Sequence, residues 1–136
     1  MMTLTQAETA IYKRIGQFTG VDKANLRIES QPLDGGQHFK APTNKAWCKV
    51  FIQYADSQVA SIGNSPCIRD YGIISIQCFT PKNSGTLTMT ELCDKWRTLL
   101  QSFGVSHLEI YKVHAPQSMD DQDFYAKIIR AEFRVN

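Results

Sequence analysis

Four cysteines, three histidines and one short run of aspartates are the residues of this 136-residue sequence that could do chemistry. Cys67 follows Ser65-Pro66 and stands two residues before Arg69, so it is the thiol expected at the surface. A guanidinium beside it would lower its pKa towards a nucleophilic thiolate. Catalysis by such a thiol needs a base, and neither His38, His107 nor His114 lies at a spacing that marks a cysteine–histidine pair. The same histidines lack the i, i+4 repeat of helix-borne metal ligands. Asp120, Asp121 and Asp123 lack the glycine and the distal glutamate of a calcium loop and read as a solvated turn. Gly35-Gly36 belongs to no phosphate-cradling glycine pattern. Cys48, Cys78 and Cys93 fall on apolar faces with no C-x-x-C pair, and are expected to be free, buried thiols. No catalytic, cofactor-binding or metal-binding signature is present, and the chain reads as a non-enzyme.

The elements that hold these residues follow from periodicity. Residues 1–136 fit one domain, and 43% hydrophobic residues suffice for a core without a metal or disulfide staple. Fifteen basic against thirteen acidic residues give +2, and no Lys/Arg run has the density of a nucleic-acid footprint. No apolar run approaches membrane-spanning length, and no basic-then-apolar leader opens the chain, so a cytosolic protein with no membrane partner is expected.

Thr5-Gln6-Ala7-Glu8 has the form of a capping box, and Ala7, Ile11, Ile15 and Phe18 then recur at the helical period until Gly20. Leu26 and Ile28 suggest a short strand within Asn25 to Glu29. Gln31 to Asn44 concentrates turn residues into a long loop in which His38, Phe39 and Lys40 could meet a partner; loops of this length either carry function or merely connect. Trp47 to Tyr54 alternates as a strand, with Cys48, Val50, Ile52 and Tyr54 on one face and Trp47, Lys49, Phe51 and Gln53 on the other. An extended hairpin arm around Gly63 leads from it into a central strand, Ile73 to Phe79, opened by Arg69 and Gly72 and closed by Pro81 and Gly85. Thr88-Met89-Thr90-Glu91 suggests a second capping box, before a stripe of Met89, Leu92, Cys93, Trp96, Leu99, Leu100 and Phe103 that Gly104 ends. Extended structure at Leu108, Ile110 and Val113, a polar turn at Gln117 to Asp123 and a long strand from Phe124 to Val135 complete the chain. In that last strand Arg130, Glu132 and Arg134 oppose Ile129, Ala131, Phe133 and Val135. The expected class is α+β: a mostly antiparallel sheet with two helices on one face, a hairpin arm and a long loop.

Five stretches carry a resemblance. They are the opening helix LTQAETAIYKRI, the W-x-K-V-x-I strand start at Trp47, Lys49, Val50 and Ile52, the S-Q-V-A-S-I-G turn from Ser57 to Gly63, the block R-D-Y-G-I-I-S-I-Q-C-F-T-P-K-N-S-G from Arg69 to Gly85, and the helix from Glu91 to Phe103 with a closing strand through Phe133. Together they resemble the tail terminator family of long-tailed bacteriophages, including prophage members. The resemblance implies a structural virion protein, assembled in the host bacterial cytoplasm, that closes into a homo-hexameric ring. Such a ring stops growth of the tail tube and gives the head-to-tail connector a docking surface. It implies no cofactor and requires no nucleic-acid contact. Gly63, Gly72, Pro81 and Gly85 match the family pattern as backbone-shaping turns. Arg69, Arg130, Glu132 and Arg134, with His38, Phe39 and Lys40, are the expected intersubunit or tube contacts.

Three other functions stay open at this point. A head-to-tail connector of the virion neck is also a small α+β assembly protein. A thiol enzyme would use Cys67. A sheet-based RNA-binding module would stack bases on aromatics such as Phe51 and Tyr71.

Overall fold

The computed structural model describes residues 2–31, 36, 39–55, 58–59, 68–101 and 103–136. The loop residue His38, the turn through Gly63 and Cys67 therefore lie outside the described residues.

Helix α1 spans Leu4–Ile15, two residues earlier than Thr5-Gln6-Ala7-Glu8 suggested. The capping box is made by Thr3 and Gln6: the Gln6 amide donates to Thr3 Oγ1 at 3.1 Å and the Thr3 amide donates to Gln6 Oε1 at 2.9 Å. Thr5 is thereby inside the helix, where its carbonyl accepts from the Thr9 hydroxyl. The helix closes on Gly16, not Gly20. After it the chain turns so that Phe18 stacks on Trp96, with ring centroids 3.6 Å apart.

Eight strands follow among the described residues: β1 Leu26–Ile28, β2 Trp47–Tyr54, β3 Gln58–Val59, β4 Ile68–Pro81, β5 Gly104–Val105, β6 Leu108–Val113, β7 Gln117–Met119 and β8 Phe124–Val135. Helix α2, Thr86–Leu100, joins β4 to β5. The order across the sheet is β1-β2-β4-β8-β6-β5, with β3 on β4 and β7 on β8. Every pairing is antiparallel except β1 with β2. Strands β4 and β8 are the longest, and they form the central pair, from Asp70↔Val135 to Pro81↔Phe124. Beyond that pair, Ile68 and Arg69 continue against β3 alone, which makes the root of the expected hairpin arm.

Three local expectations need correction. The second capping box does not form, because α2 begins at Thr86, directly after Gly85 at φ +87°, and no side chain caps it. Thr88 and Thr90 instead return their hydroxyls to the carbonyls of Ser84 and Thr86. Gly104 lies in β5, past a helix that ends at Leu100. Residues Gln117–Met119 are not turn but strand, since β8 offers them a free edge where β6 has ended.

Both helices pack on one face of the sheet. Ala7, Ile11 and Ile15 of α1 and Met89, Leu92, Cys93, Trp96 and Leu100 of α2 share a core with Cys48, Val50, Ile74, Ile76, Cys78, Ile129, Ala131, Phe133 and Val135. The strand members are alternate residues, so all of them point to the helices. Each large side chain buried there stabilises the fold by about 1.5–3 kcal/mol before conformational entropy is subtracted.

Gly72 is not a turn. It sits inside β4, and a Cβ built on it would lie 2.3 Å from Cζ of Phe133, so its missing side chain is the space that the Phe133 ring fills. Gly72→Ala is expected to lower stability by about 1–3 kcal/mol in urea melts. Phe133→Leu in the same chain should recover part of that loss, because residues in contact couple; strictly additive effects would show that the two positions do not compete for one volume.

Candidate assembly interface

The side of the sheet away from the helices carries Trp47, Lys49, Phe51 and Gln53 from β2, Tyr71, Ile73, Ser75, Gln77 and Phe79 from β4, and Ala126, Ile128, Arg130, Glu132 and Arg134 from β8. Neither helix packs over it. Register arranges these residues in rows that run across the strands.

The row nearest the start of α2 is aromatic. Trp47 and Phe79 are directly paired and stack at 4.0 Å with planes 9° apart. Phe124 meets both edge-on, and Phe39, from the long loop, lies 5.3 Å from Trp47. The guanidinium of Arg27 in turn sits 5.8 Å from the Phe39 ring. Phe39 is therefore a structural part of this cluster, whereas Lys40 beside it is exposed. The Trp47 indole N–H is buried without a hydrogen-bond partner among the described residues.

The opposite end is charged. Arg134 donates two hydrogen bonds to Glu109 Oε2, at 3.1 and 2.8 Å, and lies 5.4 Å from the Tyr111 ring. Those bonds raise the guanidinium pKa further. Glu132 pairs with His114 at 2.7 Å. Burial, followed by the Glu132 carboxylate, raises the pKa of Tyr111. A β-bulge between Ile110 and Lys112 inserts Tyr111 as an extra residue, so Tyr111 approaches Tyr71 while Lys112 still faces Glu132. Arg130, between the two ends, is exposed and forms no ion pair among the described residues.

Arg130, Glu132 and Arg134 therefore share one face, as alternation requires, but they do not form a ladder with one another. Each carboxylate is held by a neighbouring strand instead. Arg69 lies further along β4, where its Nε donates to Asn136 Oδ1 at 2.6 Å. Among the backbone-shaping positions, Gly85 takes the left-handed φ that starts α2, and Pro81 ends β4 while its carbonyl accepts from both the amide and the hydroxyl of Ser84. The sequence reading missed Arg27, Lys112, Glu109, His114 and Tyr111 as members of this face. Arg27 and Lys49 show on the polar side of their strands, but a bulge leaves no mark in an alternating pattern.

The three described cysteines are buried and free. Cys48 and Cys78 are opposed in register with sulfurs 3.9 Å apart, and the Trp96 indole N–H donates to Cys48 Sγ at 3.3 Å. Hydrogen bonding with Cys48 and Cys93, together with burial, pushes the Cys78 thiol well above its ordinary range. The Cys78 hydrogen bond lowers Cys93, yet all three are fully enclosed, so they serve packing. Among the described residues no cluster of three or more His, Cys, Asp or Glu side chains could hold a metal ion, and no helix is long and apolar enough to cross a membrane.

At the root of the arm the Ala55 amide donates to the Tyr71 carbonyl at 2.8 Å, and the Tyr54 hydroxyl donates to Glu8 Oε2 at 2.6 Å, tying β2 to α1. Desolvation first, then the hydrogen bond to Glu8, raises the Tyr54 pKa. The folded chain thus holds this proton more tightly than the unfolded chain does. Stability from this contact is complete below about pH 10 and is lost as the pH climbs above it. Tyr54→Phe should flatten the alkaline fall in denaturant midpoint; an unchanged slope would show that the bond to Glu8 does not persist in solution.

No family model matches the chain, and no curated protein matches it either. A solved protein structure does, with a TM-score of 0.72 over 100% of this chain and 97% of that one, at 10% sequence identity. At that identity the likeness is one of fold.

Proposed function

We propose that this chain is a structural subunit of a phage tail, a terminator whose copies close into a six-membered ring on the end of the tail tube and present the surface on which the head-side connector docks. The observation that carries the reading is the sheet face without a helix over it. A face on which Trp47, Phe51 and Tyr71 stay partly exposed beside arginines has the composition of a protein interface core rather than that of a solvated sheet. The tail-terminator resemblance supports the same function, and the α+β fold with both helices on one side is compatible with it. Work by shape and closure also accords with a sequence that carries no catalytic signature.

A closed ring requires that one patch of a subunit meet a different patch of the next. The exposed side of β8 and the exposed turn between β7 and β8 are two unlike surfaces available for that purpose. The purified protein should therefore assemble, alone or when seeded on tail tubes, to a mass six times that of the chain by light scattering. A phage lacking it should make overlong tails in electron micrographs. Tails of normal length that fail only to join heads would favour a connector instead. Charge reversal of Arg130 and Arg134 together should shift the ring to smaller species in size-exclusion chromatography; an unaltered elution profile removes them from the interface.

A further inference from the structure

The rows of the uncovered face have an unbalanced charge that the sequence conceals. Arg27, Lys49, Arg69, Lys112 and Arg130 come from five strands, β1, β2, β4, β6 and β8, and register brings them to one side. None forms an ion pair among the described residues. The two carboxylates on these rows are already engaged, Glu109 by Arg134 and Glu132 by His114. The face therefore has a cationic surplus and no free anion of its own among the described residues.

The matching anions lie elsewhere in the same chain. Asp120, Asp121 and Asp123 are all exposed at the turn between β7 and β8. The turn is held in shape: Asp121 Oδ2 accepts from the amides of Asp123 and Phe124 at 3.0 and 2.9 Å, and Lys82 Nζ donates to the Gln122 carbonyl at 2.6 Å. Asp120 and Asp123 have no such bonds from their own carboxylates among the described residues. Lys82 of the same chain is bonded to the turn through the Gln122 carbonyl, whereas Arg130 lies six extended residues, roughly 20 Å, from Phe124.

We infer that the uncovered sheet face receives the acidic β7–β8 turn of a second copy of this chain. One patch lies on the flat of the sheet and the other at a strand end, so the contact is head-to-tail. Contacts of that kind propagate into a ring or a filament and do not form a two-fold dimer. Opposite charges would steer the copies together and fix register, and like charges would exclude wrong orientations. The inference rests on the ring reading above and names the two surfaces that meet.

Two variants test it. Lys49→Glu with Arg130→Glu makes the face acidic, and Asp120→Lys with Asp123→Lys makes the turn basic. Each variant alone opposes like charges, and its self-association should weaken by about tenfold or more in sedimentation velocity. Mixed in equal amounts they should assemble again, because each face then meets the other variant's turn, giving rings with an even number of subunits. The inference is overturned if either variant, folded by circular dichroism, assembles as the wild type does, or if the mixture does no better than its parts. Wild-type rings in that case leave the terminator reading standing. Wild type that stays monomeric even beside tail tubes removes both. Should a variant fail to fold, salt decides: from about 0.05 to about 1 M the screening length shrinks to about 3 Å, and wild-type assembly must weaken. Salt-insensitive assembly overturns the contact.

Discussion

The fold depends on one constraint: two amphipathic helices must bury their stripes against a single sheet face, because only that face is apolar along its whole length. Ile74, Ile76 and Cys78 of β4 and Ile129, Ala131, Phe133 and Val135 of β8 supply it, with Cys48 and Val50 beside them. Trp96 anchors the arrangement from α2, fully buried, stacked on Phe18 and donating its indole proton to Cys48. A polar group in such a core must find a partner or lose the bonds it had in water, and here a sulfur provides one. Once both helices occupy that side, the other side has no helix to cover it.

The uncovered face is stabilised only in part from within. Its aromatic end packs against itself through Trp47, Phe79 and Phe124. Its charged end engages each carboxylate, Glu109 in an ion pair with Arg134 and Glu132 in a hydrogen bond with His114. These pairs are partly exposed and screened, so they add little to folding stability. Their larger effect is to orient side chains and to leave the remaining cations without anions.

A protein that functions by closure needs two unlike surfaces and no reaction centre. The sheet face and the β7–β8 turn are unlike in both shape and charge, and they project in different directions from the same pair of strands. That pairing gives physical content to the proposal that the chain is a ring subunit. The hairpin root, held by Tyr54, Ala55 and Tyr71, would extend from the same sheet.

Periodicity alone was enough to establish the α+β class, the two helical stripes and the inward sides of β2, β4 and β8, because each depends on a local repeat of 3.6 or 2 residues. It misplaced both helix starts, where Thr3 rather than Thr5 caps α1 and Gly85 opens α2 without a cap, since competing threonines a few residues apart differ only in the tertiary contacts that follow. It read Gln117–Met119 as a turn because their polarity hides a strand whose partner lies along β8. The candidate interface was half legible: alternation placed Lys49, Arg130, Glu132 and Arg134 on outward sides. Which residues from β1, β2, β4, β6 and β8 share a row, which carboxylate each cation meets, and where Tyr111 bulges were decided only by strand register. Register is a long-range agreement between segments, and a single segment carries no record of it.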